Sequence, residues 1–231
     1  MGLTRVEPVN HESTSAIIAD RLRAAIMDGE LAAGDQLGEA DLAGRFEVSR
    51  GTLREAMQRL VEEGLLRSER YRGVFVRELS PDDVQDVYVT RNAIEQAAAR
   101  LILRRGDRTA VADELDAACD AMKTAIASRD HAAVGRADAA FHEALVAASG
   151  STRLSRMART LLIETRMCIR ELAHTYESPD DRLTEHTAIA AALRDGTEAL
   201  VLGLIDAHMA DAVRRLAPDR DLHAPFTEPV I

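Results

Sequence analysis

Asp138 and His142 are the first two residues of this chain whose types and spacing could do chemistry. They are four residues apart, so both project from the same side of a predicted helix. That side also carries Ala137, Phe141 and Leu145, and an apolar helix face of this kind points into a protein core. A carboxylate and an imidazole are therefore predicted to lie together among apolar side chains.

Two more histidines occupy apolar faces on two other predicted helices. His186 shares a stripe with Ile189 and Leu193, and His208 lies close in sequence to Ile205 and Met209. A buried histidine needs a polar partner. The simplest interpretation is that each of these rings is a core side chain satisfied by a local hydrogen bond.

The alternative is a metal site formed by Asp138, His142, His186 and His208 together. One carboxylate and three imidazoles are a typical ligand set for a divalent transition metal. In an octahedral arrangement, four protein ligands leave two positions for water or an incoming oxygen ligand, which suits a receptor. Zinc is the first choice by availability, and nickel, manganese and iron are the other candidates.

Two further functions of such a site stay open. A metal-dependent enzyme would need a base near the metal, and Glu143 and Glu185 each neighbour a predicted ligand. Each is one residue along a helix from that ligand, about 100° around, so neither points naturally at the open side. The paired Glu-x-x-His motifs of a di-iron bundle are absent from the sequence. The metal could also be purely structural.

Helices alone are predicted to position these side chains. Ser80 as cap, Pro81 at the first helical position, and Asp82 and Asp83 in the first turn predict a helix start. Breaks at Gly106, 128–130, Gly150, 178–179 and Gly196 then give helices near 82–105, 107–128, 131–149, 151–174, 179–195 and 197–217. The pattern predicts an antiparallel helical bundle. Residues 78–231 carry 18 Arg or Lys against 26 Asp or Glu, a net charge of −8, so this half is not expected to bind DNA.

A shorter helix before this bundle has two faces of different character. It is predicted over 49–64, with an apolar stripe formed by Leu53, Ala56, Met57, Leu60 and Val61. Ser49 can cap its start. The opposite face presents Arg50, Arg54 and Gln58. Such a face is either solvated or placed in the major groove of DNA, where Arg matches guanine and Gln matches adenine.

The residues after this helix favour the DNA-binding interpretation. Two short strands, near 65–70 and 74–77, are joined by a turn with Gly73 at its tip, and helices are predicted from Ser13 or Ser15 to Asp28 and over 39–46. Three helices followed by a basic hairpin form a winged helix-turn-helix. Residues 45–77 hold eight Arg against five Glu inside a chain of net charge −10. We predict that the wing turn with Gly73 lies against DNA and that Arg45, Thr52, Arg70 and Arg72 contact phosphates.

The motifs in the first part of the chain resemble the DNA-binding domain of GntR-type transcriptional regulators, in the FadR branch. The matching pieces, in order, are Ile26-Met27-Asp28-Gly29-Glu30-Leu31, Gly34-Asp35-Gln36-Leu37, Asp41-Leu42-Ala43, Val48-Ser49-Arg50, Leu53-Arg54-Glu55-Ala56, Leu60-Val61-Glu62-Glu63-Gly64-Leu65 and Gly73-Val74-Phe75-Val76. The resemblance implies a double-stranded DNA operator as partner. It also implies a homodimer on a near-palindromic site.

The second part resembles the metal-binding form of the FadR-type C-terminal domain, also called FCD. Asp138-x-x-x-His142, His186 and His208 match its pattern, and the resemblance implies that the metal helps to hold a small carboxylate effector. Arg91 stands where the family often has an arginine that binds the effector. Its alternative role is an ion pair with Glu95, four residues on. The complete histidine set implies a small organic acid rather than an acyl-CoA thioester.

Composition sets the remaining expectations. With 46% apolar and 3% aromatic residues, the 231-residue chain is mainly α and has one or two domains. It shows no long apolar run and no secretory signal, so we expect a cytoplasmic protein without a membrane span. Cys119 and Cys168 are expected to be buried thiols. The expected parts are a flexible arm (1–12), the winged helix-turn-helix (13–78), a linker (79–81), the helical domain (82–218) and a tail (219–231).

Overall fold

The computed structural model describes residues 13–172 and 179–225. The chain divides after Arg77 into two compact units. The predicted arm at 1–12 and residues 226–231 of the predicted tail lie outside the described residues.

The first unit is a winged helix-turn-helix, which confirms the predicted fold class. Its elements are α1 Thr14–Met27, β1 Gln36–Leu37, α2 Glu39–Arg45, α3 Arg50–Glu62, β2 Leu66–Glu69 and β3 Gly73–Val76. The strands form an antiparallel sheet in the order β1-β3-β2, with Leu66 opposite Val76 and Gln36 opposite Phe75. Strand β1 was not predicted, because two residues are too short to show an alternating pattern.

The core of the first unit lies between α1 and α3. Leu53 and Leu60 of α3 are fully buried, and Leu22 of α1 is nearly so. At the far end of α3, Arg23 donates to Glu63 through Nη2 at 2.7 Å and through Nε at 2.8 Å. The apolar stripe therefore faces α1, and the opposite face of α3 is left for solvent or a partner.

The second unit is an all-helical bundle. Its helices are α4 Pro81–Arg105, α5 Arg108–Ser128, α6 His131–Ala148, α7 Thr152–Leu172, α8 Pro179–Asp195 and α9 Glu198–Leu216. Each described end lies within one residue of its prediction, and residues 173–174 of the predicted fourth helix lie outside the described residues. At the start of α4, Ser80 caps the helix as the local sequence predicted, and the side chain of Asp83 accepts in return from the backbone N–H of Ser80.

Helix α4 packs against α6, α7 and α9. Tyr88 and Ile102 of α4 lie in one apolar cluster with Phe141 of α6, Ile189 of α8 and Ile205 of α9. These residues are at most 2% exposed. A core of this kind fixes the rotation of each helix, so polar residues on the same faces are forced inward as well.

The segment after α9 packs back onto the bundle. Leu222 joins the apolar core, and the side-chain amide of Gln85 donates to the carbonyl oxygens of Asp221 at 2.7 Å and Ala224 at 3.0 Å. Arg220 pairs with Asp82. Residues 219–225, which we expected to be a tail beyond the helical domain, therefore pack against the first turns of α4.

Two sequence expectations concern single features of this unit. Cys119 is buried, and desolvation raises the pKa of its thiol to about 11. The side chain of Cys168 lies outside the described part of the structure. Within the described residues, no helix combines the length and apolar character needed to cross a bilayer.

Candidate metal centre and candidate nucleic-acid interface

Three imidazoles from three helices meet in the interior of the bundle. His142 of α6, His186 of α8 and His208 of α9 each place a ring nitrogen within 4.8 Å of the other two. The three residues are 1%, 0% and 6% exposed. The helical packing thus brings together three of the four residues that the sequence suggested as metal ligands.

Asp138, the fourth of these residues, lies beside two of the rings. Its Oδ1 is 3.4 Å from Nε2 of His186, and its Oδ2 is 3.9 Å from Nε2 of His142. Burial acts to raise the pKa of Asp138, but the hydrogen bond with His186 and the charges of His186, His142 and Arg182 outweigh it. The pKa of this carboxyl therefore lies well below its usual range, and the group is an ionised potential ligand.

The Nδ1 atom of each imidazole is bonded to a group outside the histidine cluster. His142 Nδ1 lies 2.8 Å from Oε2 of Glu95, and His208 Nδ1 lies 2.7 Å from Oε2 of Glu185. His186 Nδ1 is 2.7 Å from the backbone carbonyl oxygen of Arg182. A carbonyl oxygen only accepts, so Nδ1 of His186 carries the proton. Acceptors of this kind fix the tautomer and orientation of metal-binding histidines.

Sequence reasoning named Glu95 only as a possible partner of Arg91 and did not identify the bonds of Glu95 to His142 and of Glu185 to His208. Burial acts to raise the pKa of Glu95, but Arg91 and His142, which is positively charged when acid protonates it, outweigh burial and lower the pKa to about 2. Desolvation lowers the pKa of His208 to about 4 and also lowers that of His142. Near neutral pH, Glu95 is ionised and these two imidazoles are neutral, which is the state that a metal requires.

Two of the distances between donor atoms fit one metal ion. Two atoms that each bind the same metal at about 2.1 Å, at angles between about 90° and 109°, lie roughly 3.0 to 3.4 Å apart. His142 Nε2 and His186 Nε2 are 3.2 Å apart, and His186 Nε2 and Asp138 Oδ1 are 3.4 Å apart. His142, His186 and His208 lie close enough together to hold a divalent metal, and Asp138 lies beside two of them, at 3.9 Å from His142 Nε2.

Arg91 lies in the same interior, and its ion pair with Glu95 is present. Its Nε and Nη2 donate to Oε1 of Glu95 at 3.1 and 2.9 Å, and its Nη1 donates to Oγ1 of Thr165 at 3.2 Å. Because the other oxygen of Glu95 is bonded to His142, Arg91, Glu95 and His142 form one connected chain. Arg91 is 2% exposed, so an enclosed positive charge lies next to the histidine cluster.

Helix α3 presents the predicted DNA-reading residues to solvent. Ser49 caps the helix by accepting from the backbone N–H of Thr52 at 3.1 Å, and the two hydroxyl groups are 2.8 Å apart. Arg50, Arg54 and Gln58 are all exposed. Arg54 also donates from Nε to Oε2 of Glu39 at 2.7 Å, a partner that sequence reasoning did not identify.

The wing turn is basic and fixed by local contacts. Arg70 stacks over the ring of Tyr71 at 4.8 Å, and Arg72 pairs with Glu69. The side-chain amide of Gln36 in β1 donates to the carbonyl oxygen of Arg72 at 2.6 Å. The turn itself is formed by residues 70–72, so Gly73 is not at its tip as predicted but begins β3 opposite Glu69. Its φ of +109° is a conformation that favours glycine. Arg45, at the end of α2, is also exposed.

These features together define a DNA-binding transcriptional regulator with a separate helical domain. Comparison with family models agrees: residues 14–76 match the bacterial regulatory proteins of the gntR family, and residues 86–211 match the FCD domain. The chain therefore belongs to the GntR family of bacterial regulators, in the FadR-like branch that carries an FCD domain. Its relatives are transcriptional regulators and not enzymes.

Individual relatives show how far the similarity extends. The chain is 30% identical over 185 residues to the probable D-xylose utilization operon transcriptional repressor of Paenarthrobacter nicotinovorans, and the match covers 80% of each chain. It is 46% identical over 87 residues to the regulator BphR of Paraburkholderia xenovorans, which covers 38% of this chain and 36% of that protein. The crystal structure of a GntR regulator from Rhodococcus sp. RHA1 is 31% identical, with a TM-score of 0.79 over 90% of this chain and 100% of that one.

Proposed function

We propose that this regulator changes its affinity for an operator when a small organic acid binds at a divalent metal in the helical domain. The observation that supports this most strongly is the orientation of the histidines. Each Nδ1 atom is bonded to an outside acceptor, and the Nε2 atoms of His142 and His186 point at each other and at Asp138. Zinc is the proposed metal, and nickel, manganese and iron are the alternatives.

Arg91 is the proposed anchor for the effector's carboxylate. Four protein ligands in an octahedral arrangement leave two coordination positions, and oxygen atoms of a carboxylate are suitable ligands for them. Arg91 adds an enclosed positive charge beside the cluster, and a guanidinium can bind a carboxylate through two hydrogen bonds. The Nη1 atom of Arg91 donates to the neutral hydroxyl of Thr165. Exchanging this bond for one to the effector breaks no ion pair, so Nη1 is the proposed donor to the effector.

The winged helix-turn-helix unit is proposed to act as one of two copies in a homodimer. Two-fold symmetry of the protein then requires a near-palindromic operator, with one α3 in each of two successive major grooves. Arg50, Arg54 and Gln58 read base edges. Ser49 and Thr52 at the start of α3, Arg45, and the wing residues Arg70, Arg72 and Gly73 face the backbone.

The regulated genes are proposed to serve the use of a small carbon compound. The relative from Paenarthrobacter nicotinovorans is named for a D-xylose utilization operon, which is a catabolic function. A metal and a buried arginine favour an anionic compound over a neutral sugar for this chain, because both are positively charged.

Elemental analysis of the purified protein, followed by a thermal-shift screen of small carboxylic acids, tests the metal and the effector together. We expect about one metal per chain, and a shift of the unfolding temperature by at least one acid, because a ligand that binds the folded state stabilises it. His186→Ala should lose both the metal and the acid response. His131→Ala, which removes an exposed histidine at the start of α6, should lose neither.

Operator binding tests the second half of the proposal. A duplex enriched from a random pool by the full-length protein serves as the DNA. We expect Arg50→Ala to weaken binding to this duplex by about 1–3 kcal/mol, and the active acid to change the affinity of the unaltered protein. A metal-loaded protein that binds its duplex equally with and without every acid would contradict the sensing function. A chelator that unfolds the protein without changing any effector response would instead assign the metal a structural role.

A further inference from the structure

The guanidinium of Arg54 is held by a carboxylate from the neighbouring helix. Nε of Arg54, in α3, donates to Oε2 of Glu39, in α2, at 2.7 Å. The side chain of Arg54 is 65% exposed and that of Glu39 is 32% exposed. This contact joins the two helices of the helix-turn-helix at the surface that carries the exposed residues of α3.

Glu39 lies at the start of α2. It is the first residue of that helix, and Gly38 before it supplies no side-chain cap. The unpaired N–H groups at a helix start carry partial positive charge and attract a carboxylate there. The partner of Arg54 is therefore a charged group carried by the first residue of the neighbouring helix.

The contact limits how Arg54 can bind a base. A guanidinium has two edges that can each donate two hydrogen bonds, one containing Nε and one formed by the two Nη atoms. With Nε bonded to Glu39, the Nη edge remains for O6 and N7 of guanine. Holding the side chain in one orientation also reduces the conformational entropy that is lost when DNA binds.

The same carboxylate is unfavourable for DNA binding in general. DNA carries a dense negative charge, and a negative group near the contact surface weakens binding to every sequence alike. An exposed ion pair contributes little to folding stability. The helix start and the ion pair each contribute only a small amount to folding stability, whereas orienting Arg54 adds selectivity for a base.

We propose that Glu39 is a positioning residue for sequence discrimination: it orients Arg54 and lowers affinity for DNA that lacks the matching base. The inference rests on the proposed function in which Arg54 reads a base edge. Glu39 itself contacts Arg54 and acts on DNA through it.

Glu47 offers a matched control. It lies in the turn between α2 and α3, is exposed, and makes no hydrogen bond or ion pair to Arg54. Glu47→Ala removes the same charge from the same unit without touching Arg54. Any effect that comes only from net charge should be equal in Glu39→Ala and Glu47→Ala.

The experiment measures the affinity of the full-length protein for two duplexes, one enriched from a random pool by the unaltered protein and one of scrambled sequence. Glu39→Ala should bind the scrambled duplex more tightly and lower the ratio of the two affinities by about fivefold or more, part of what a bidentate base contact supplies. Glu47→Ala should leave the ratio unchanged. In an Arg54→Ala background, Glu39→Ala should no longer alter the ratio, because the residue through which it acts is absent.

Thermal unfolding of each variant shows that the proteins compared are folded. If Arg54→Ala lowers the ratio but Glu39→Ala does not, or if Glu39→Ala lowers it equally without Arg54, the positioning role is wrong and the recognition role of Arg54 stands. If Arg54→Ala leaves the ratio unchanged, the proposed recognition role fails, and the inference fails with it.

Discussion

The imidazole rings of His142 and His186 face each other through Nε2 atoms that are 3.2 Å apart. Nδ1 of His186 carries a proton because its partner is a carbonyl oxygen, and Nδ1 of His142 faces the ionised Glu95. Two neutral rings with these tautomers would direct lone pairs at each other, which is unfavourable in a buried site. A cation between them, either a metal or a proton, removes that repulsion. Asp138, on the same side, adds negative charge that favours the cation.

Glu185→Gln should weaken metal binding by roughly 10- to 100-fold without unfolding the protein. Glu185 is the acceptor for Nδ1 of His208, and an amide is a weaker acceptor than a carboxylate. The side chain of Glu185 is 27% exposed, so the change leaves no enclosed charge. Competition with a chelating dye of known zinc affinity measures the effect.

Glu143→Gln is the control for that measurement. Glu143 is adjacent in sequence to His142 but exposed, and no imidazole nitrogen is bonded to it. The Glu143→Gln variant should bind zinc as tightly as the unaltered protein does. Equal zinc affinity in both variants would show that the acceptor of His208 does not tune the metal.

Arg91→Ala should destabilise the protein by about 3–5 kcal/mol, because it leaves the buried carboxylate of Glu95 without its ion-pair partner. Both side chains are at most 3% exposed. The double variant Arg91→Ala/Glu95→Ala should regain part of this loss, since neither buried charge then remains. Urea denaturation of zinc-free protein measures the unfolding free energy of each variant. A double variant that loses more unfolding free energy than the two single variants together would contradict this explanation.

Zinc-free protein should lose stability as the pH falls from about 6.5 toward 4. Desolvation lowers the pKa of His208 to about 4 in the folded protein, whereas an unfolded chain takes up this proton near pH 6.5. Between these values the unfolded state binds more protons, so acid favours unfolding by up to about 3 kcal/mol from this group. Above pH 6.5 the group contributes no pH dependence.

Denaturation of the chelator-treated protein at pH 7.5, 6 and 5 checks this expectation. His208→Gln removes the titrating ring, so its unfolding free energy should fall less steeply over the same range. Parallel pH curves for the two proteins would mean that His208 is not held neutral by burial.

Helix positions in the second unit were predictable because their signals are local. Ser80 and Pro81 start α4, and Gly106, with φ +80°, ends it, so nearby residues alone determine the bounds. The inward faces of His142 and His208 followed from helical periodicity for the same reason.

The partners of the histidines were not predictable in this way. Glu95 is 47 residues from His142 and Glu185 is 23 residues from His208, and each pair lies on two different helices. Their contacts depend on how the helices rotate and cross, which periodicity does not specify. The packing of 219–225 on α4 was not predictable for the same reason, because Gln85 bonds to carbonyl groups more than 130 residues away in the sequence.

Removing one basic side chain from the wing should weaken binding to all DNA sequences alike. Arg70→Ala and Arg72→Ala each delete a proposed phosphate contact, and each should reduce the slope of log affinity against log salt by about 1. The loss of affinity should be smaller for Arg72→Ala than for Arg70→Ala. In the free protein Arg72 already pairs with Glu69, and it must leave this partner to reach a phosphate. Fluorescence anisotropy at several salt concentrations, on enriched and scrambled duplexes, measures the slopes. Arg153→Ala, which removes an exposed arginine of α7, should leave both slopes unchanged. A wing variant that changes selectivity but not the salt slope would place that arginine at a base edge instead of the backbone.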